Sequence, residues 1–138
     1  MSYAGDIGPQ QAWELLSENP DAVLVDVRTE AEWKFVGVPD TSAIAKPTLL
    51  VEWVDSTGAR NTEFLDQLRS ALSDRPADAP VLFLCRSGQR SAHAADAATA
   101  AGIAPAYNIS EGFEGPLDEL GHRGGSGWRA HGLPWRQS

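Results

Sequence analysis

The stretch VLFLCRSGQRSAHAADAATAAG, residues 81–102, joins two local patterns through the only cysteine of the chain, Cys85. Its opening, with Pro80 before it, is a short apolar run of the kind that fills a strand buried on both faces. Pro76 and Pro80 bracket the loop that leads into it. Its second part, residues 90–102, is an alanine-rich helix that Gly102 ends in the C-cap role. A strand that passes into a helix within a few residues is the repeating unit of a parallel sheet.

Further out, AVLVDV (22–27) and AYNI (106–109) read as two more strands. GPQQAWELLSENPD (8–21) reads as a helix, with Pro9 in its first turn and Trp13, Leu15 and Leu16 spaced to meet a core. TEAEW (29–33) opens another, with Thr29 as N-cap and Glu32 three residues on, a capping box. NTEFLDQLRSALSD (61–74) is amphipathic and turns Phe64, Leu65, Leu68 and Leu72 inward. LLVEWV (49–54) fits a strand or the start of a helix, and periodicity does not choose between them. The alternation implies an α/β fold, a mainly parallel central sheet flanked by helices on both faces. Past Glu111 the pattern dissolves. The tail, 116–138, carries glycines, Trp128 and Trp135 and is expected to be irregular and packed on the domain formed by 1–115. Two readings of the tail stay open: its tryptophans cover the body of the domain, or it walls the active site.

A chain of 138 residues fits one domain with a sizeable core. Its net charge of −8, from 11 basic and 19 acidic residues, repels a phosphate backbone, so nucleic acid is not an expected partner. No apolar stretch approaches the roughly 18 residues that span a bilayer, so no membrane partner is expected either. The opening MSYAGDIGPQQAW has neither a basic n-region nor an apolar h-region, and no secretory signal is read there. One cysteine makes no internal disulfide and demands no oxidising compartment, so the cytoplasm is the expected location. His93, His122 and His131 are too scattered for a metal site, and no glycine-rich nucleotide fingerprint follows a strand. No cofactor and no metal are expected. The carboxylates Glu63, Asp66 and Asp74 read as a solvated face.

In a parallel α/β sheet, ligands bind outside the carboxyl ends of the strands, which is where Cys85 falls. The bend after it runs into a helix N-terminus, whose unpaired N–H groups and macrodipole favour an anion. Arg86 and Arg90 add formal charge, and surroundings of this kind lower a thiol's pKa from about 8.5. The expected state is an anionic sulfur nucleophile in an anion-binding cradle, against the plain alternative of a small core cysteine.

CRSGQRS after a hydrophobic strand resembles the active-site loop of single-domain rhodaneses, the thiosulfate sulfurtransferases, whose pattern is close to C-R-x-G-x-R-[ST]. Cys85, Arg86, Gly88, Arg90 and Ser91 fill its fixed positions. VLVDVRTEAEW (23–33) is similar to that family's first signature, and YNISEGFEG (107–115) to its strand and glycine turn after the catalytic helix. One segment departs: where the family commonly has G-H-I-P-G-A, this chain has VGVPDT (36–41), with Gly37 at the histidine position, Val38 a conservative exchange and Pro39 kept. The resemblance implies a rhodanese-like fold and a ping-pong transfer. Cys85 takes the outer sulfur of a small anionic donor such as thiosulfate as a persulfide, then passes it to cyanide or a cellular thiol. A cysteine-desulfurase persulfide, delivered by a sulfur-relay protein, is an alternative donor.

The expected substrate-binding residues are Arg86, Ser87, Gly88, Gln89, Arg90 and Ser91. Arg86 points outward to the donor, while Ser87 and Gln89 supply backbone N–H groups. Asp26, Arg28 and Glu32 are expected to support the site from outside. Arg90 either contacts substrate or braces the loop against Asp26 or Glu32. Ser91 is read as a cap or first-turn residue, with direct sulfur contact the lesser alternative. His93 is read as an ordinary helix residue rather than a base. Two other readings remain open for the loop. Cysteine-dependent phosphatases and arsenate reductases use C-x5-R, and C-x4-R here is shorter by up to about 3.5 Å of contour, a cradle better suited to a terminal sulfur than to a phosphoryl group. A non-catalytic rhodanese-like interaction module usually lacks the cysteine.

Overall fold

The structure is a computed structural model that describes residues 3–137, so Met1, Ser2 and Ser138, at the ends of the sequence-read domain and tail, lie outside it. In chain order the elements are β1 Gly5–Ile7, α1 Pro9–Glu18, β2 Val23–Asp26, α2 Glu30–Phe35, β3 Val38–Pro39, a 3-10 turn Ser42–Ile44, β4 Thr48–Leu50, α3 Phe64–Ala71, β5 Val81–Leu84, α4 Gln89–Ala100, β6 Ala106–Ile109 and β7 Trp135–Arg136. Five strands form a sheet in the order β1-β6-β5-β2-β4, every pair parallel. The central strands β2 and β5 are buried at all four positions each, as their unbroken apolar runs require. The ambiguous 49–54 segment starts as strand and forms no helix: Leu49 and Leu50 belong to β4, which pairs with β2, and beyond its end Val51 and Trp53 still donate to the Asp26 and Val27 carbonyls.

Successive side chains of a strand point to opposite faces, and each face has its own cover. Val23, Val25, Val27, Val81, Phe83 and Cys85 pack under α3, through Phe64 and Leu68, and under α4, through Ala94, Ala95 and Ala98. The alanines let α4 lie close to the sheet. Leu24, Leu82, Leu84 and Ile109 face the other way, onto Ala12 and Leu16 of α1 and onto Trp128 and Leu133 of the tail. Helices therefore flank both faces, as expected. Among the described residues no helix is long and apolar enough to cross a membrane.

The tail is less irregular than its composition suggests. Trp128 is fully buried against Trp13, and its indole N–H donates to Pro134 O at 2.8 Å. Beyond it, β7 pairs antiparallel with β3, Val38 opposite Arg136 and Pro39 opposite Trp135. This pairing explains the departure at the histidine position. Gly37 has φ +114°, and a Cβ there would meet Arg136 O at 2.8 Å and the Trp135 ring at 2.9 Å. The space a side chain needs is taken by the tail.

Candidate active site

Cys85 is the residue after β5, and the strand's alternation turns its side chain to the α4 face. The loop then doubles back so that Gly88, the N-cap of α4, donates its N–H to Cys85 Sγ at 3.1 Å. That amide stabilises negative charge on sulfur, and the free N–H groups of the first helical turn add to it. The bend is held from below by the glycine turn after β6. Phe113 N–H donates to Cys85 O at 2.8 Å, and Glu114 and Gly115 N–H both donate to Arg86 O. With the Cys85 and Arg86 carbonyls taken by that turn, the loop is held in the bend that brings the Gly88 N–H to the sulfur.

Arg90 is paired with Glu32. Its guanidinium makes a two-pronged pair with Glu32 of α2, Nη1 to Oε1 at 2.7 Å and Nη2 to Oε2 at 3.0 Å. Asp26 is not its partner. Burial pushes the Glu32 carboxyl up, but the Arg90 hydrogen bonds and charge and the Thr29 N–H outweigh it and hold it below the usual glutamate range. Burial likewise works against the Arg90 charge, and Glu32 more than offsets it. Glu32 also completes the expected capping box with Thr29, so one carboxylate fixes both the start of α2 and the start of α4. Its folded-state pKa lies below the 4.5 of the unfolded chain, so the stability it adds is present above that pH and is lost as pH falls through the folded value. Glu32→Gln is expected to cost about 1–3 kcal/mol near neutral pH. The gap from the parent chain narrows progressively as pH falls below 4.5, read by urea unfolding from neutral pH into acid; a gap that stays constant over that range refutes the assignment.

Asp26 and Arg28 are placed on the opposite face from the sulfur, both fully buried and paired at 2.6 Å. The Arg28 guanidinium stacks 4.2 Å from the centre of the Phe113 ring and donates to Gly37 O at 2.7 Å. Their link to the loop runs through the turn that carries Phe113, whose N–H donates to Cys85 O. Of the loop side chains, Arg86 and Gln89 are exposed and Ser87 is half-buried, and Arg86 has no ion pair among the described residues. His93 is an exposed helix residue.

Ser91 lies in the first turn of α4, as read, and Gly88 is the N-cap; Ser91 Oγ also makes the lesser alternative's contact, 3.2 Å from Cys85 Sγ, and lies 2.5 Å from Asn108 Oδ1. One placement departs from the sequence reading. Cys85 itself is covered, with only 1% of its surface exposed, because the loop lies pressed against the β6 turn instead of standing open at the sheet's mouth. Asn108 was missed altogether. The available signal was a lone amide in the buried strand AYNI, where asparagine is disfavoured.

The profile of the family described as the STR4 middle domain matches residues 5–138. This is a rhodanese-like chain of that family. The crystal structure of Rv0390 from M. tuberculosis superposes with a TM-score of 0.90 at 63% identity, covering 99% of this chain and 100% of that one. A polysulfide-sulfur transferase homodimer from Wolinella succinogenes follows at 26% identity and TM-score 0.63, covering 96% of this chain and 78% of that one. A rhodanese-like domain protein from Staphylococcus aureus, at 22% identity and TM-score 0.54 over 78% of this chain and 86% of that one, shares the fold.

Proposed function

We propose that this rhodanese-like chain is a sulfurtransferase that carries a sulfane sulfur on Cys85. The Cys85 thiolate attacks the outer sulfur of thiosulfate, a new S–S bond forms, and the old one breaks with its electron pair leaving on sulfite. A thiol or cyanide then attacks the terminal sulfur of the persulfide, and the electron pair returns to Sγ. The observation that carries this reading is the Gly88 N–H on Sγ at a helix N-terminus, an arrangement that stabilises anionic sulfur in both halves of the cycle. Arg86, exposed and without an ion pair among the described residues, holds the donor's charge, and an acidic chain attracts that donor only at this short range. Because the sulfur is covered, the loop side chains part to admit the donor. The Wolinella protein's donor makes polysulfide a second donor class to test, beside a sulfur-relay protein, and the cytoplasm is the proposed location. Arg90 is committed to Glu32, which speaks against a phosphoryl clamp.

Intact mass after incubation with thiosulfate or polysulfide tests the proposal. The expected result is a gain of one sulfur atom that cyanide removes and that Cys85→Ser abolishes. A chain that takes up no sulfur from either donor overturns it.

A further inference from the structure

The five-stranded sheet ends at β4, which is paired on one side only, with β2. Val51 N–H donates to Asp26 O on that side, so the backbone groups of its neighbours Leu50 and Glu52 point the other way, off the edge. Asn61 Nδ2 comes in from there and donates to Glu52 O at 2.8 Å, and past it the turn 53–61 closes the edge, with Val54 bridged to Arg60. Leu50 N–H, Leu50 O and Glu52 N–H have no partner among the described residues. Sheet edges are ordinarily blunted by lysine, a bulge or a covering loop. Here Leu50 is 46% exposed, and the acid beside it, Glu52, is turned onto Glu30 N–H at 2.8 Å.

A groove of about 960 Å³ follows this edge. Leu50, Val51 and Glu52 line it together with Trp33 of α2 and with Asp66 and Gln67 of α3. Glu52 reaches α2 while Val51 packs into the core under α3, so the groove straddles the strand between the two helical layers. Its lining holds the carboxylates of Glu52, Asp55, Glu63 and Asp66, none of them in an ion pair among the described residues. The one guanidinium in the lining, Arg60, lies over the Trp53 ring, 3.5 Å from its centre. Trp33 adds an enclosed indole N–H that has no hydrogen-bond partner among the described residues.

We propose that the β4 edge is a docking slot for an extended, lysine- or arginine-bearing segment of a partner protein, which adds to the sheet as a further strand. The segment's backbone pairs with Leu50 and Glu52, its side chains fall alternately toward α2 and α3, and its cations meet the groove's carboxylates. A carbonyl of the segment supplies the acceptor that Trp33 lacks. A second copy of this chain does not fit the slot as well. Pairing β4 with β4 would set the same carboxylates against each other, between chains of net charge −8. The slot uses no part of the cysteine loop, so it is independent of the proposed sulfur transfer.

Amide exchange at Leu50 and Glu52, read by NMR on the whole chain, tests the proposal. The probe is a pool of peptides of about six residues, with Lys or Arg at alternate positions and varied apolar residues between. At millimolar concentration this pool is expected to slow both amides about tenfold or more, and a pool with Glu in place of the basic residues is expected to leave them unchanged. Peptides N-methylated along the backbone keep the charge but lose the strand's donors, and are expected to bind about tenfold more weakly. Glu63→Gln combined with Asp66→Asn, both exposed positions, is expected to unfold in urea as the parent does and to bind the basic pool about tenfold more weakly. Equal binding of the N-methylated peptides would show charge attraction without strand addition and overturn the proposal. Protection that grows with chain concentration in the absence of peptide would give the edge to a second copy and overturn it as well, as would no protection by the basic pool. Sulfur uptake, measured separately by intact mass, decides the proposed function and leaves this inference untouched either way.

Discussion

Gly88→Ala is expected to destabilise the fold by about 2–6 kcal/mol and to slow sulfur loading of Cys85 about a hundredfold or more. Gly88 has φ +98°, a conformation that costs an L side chain, and a Cβ built on it falls 2.1 Å from Ser110 O and 2.8 Å from Ser110 C. The obstacle is backbone at the end of β6, so it does not swing aside. Either the glycine turn moves away from the loop, breaking the Phe113 and Glu114 hydrogen bonds to the Cys85 and Arg86 carbonyls, or the Gly88 amide leaves the sulfur. Urea unfolding and the rate of mass gain with thiosulfate measure the two effects. Gly58→Ala separates strain from clash, since Gly58 has φ +88° with nothing within 4 Å of the added carbon. It is expected to cost about 1 kcal/mol and to load sulfur normally. Equal, small losses in both variants would mean that Ser110 does not pin the loop.

The parts of this site legible in the sequence are those set by neighbours along the chain. A strand, a cysteine, a glycine-containing bend and an alanine helix are adjacent in order, so local pattern alone puts Cys85 at a strand end and Gly88 ahead of α4. The Thr29–Glu32 capping box is equally local. The contacts that complete the site join distant residues: Asn108 is 17 positions from Ser91 and Asp6 is 102 from Asn108. They exist because the sheet order sets β1 beside β6 and β6 beside β5, and periodicity carries no information on strand order. β1 is three residues with a glycine, too short to show alternation. Gly37 was legible as a departure from the family pattern, but its reason lay in β7, nearly a hundred residues on and only two residues long. Burial of Arg28 was also hidden, because charged residues are rarely enclosed unless a partner is present, and nothing in DVR says that the aspartate two residues earlier turns to the same face and folds around it.

That enclosed pair carries the other large expected effect. Asp26→Ala should cost about 3–5 kcal/mol, since it leaves the Arg28 guanidinium buried without a counter-charge. Asp26 now accepts from Arg28 Nε at 3.0 Å, from Nη2 at 2.6 Å and from the Arg28 backbone N–H at 3.1 Å, and none of these finds water when the carboxylate goes. Nη1 already has no partner among the described residues, so the charge has no reserve of contacts to fall back on. The pair owes its place to what Arg28 reaches next: Gly37 O at the end of α2 and the face of Phe113, whose N–H holds the Cys85 carbonyl. Replacing both charges by apolar groups of similar size, Asp26→Leu with Arg28→Met, removes the buried ions together and is expected to cost clearly less than Asp26→Ala alone. Urea unfolding of the single and double variants measures this as a coupling between the two sites. A double variant at least as unstable as the sum of its singles would show that the contacts of Arg28 with Gly37 and Phe113, and not charge neutralisation, are what Asp26 secures.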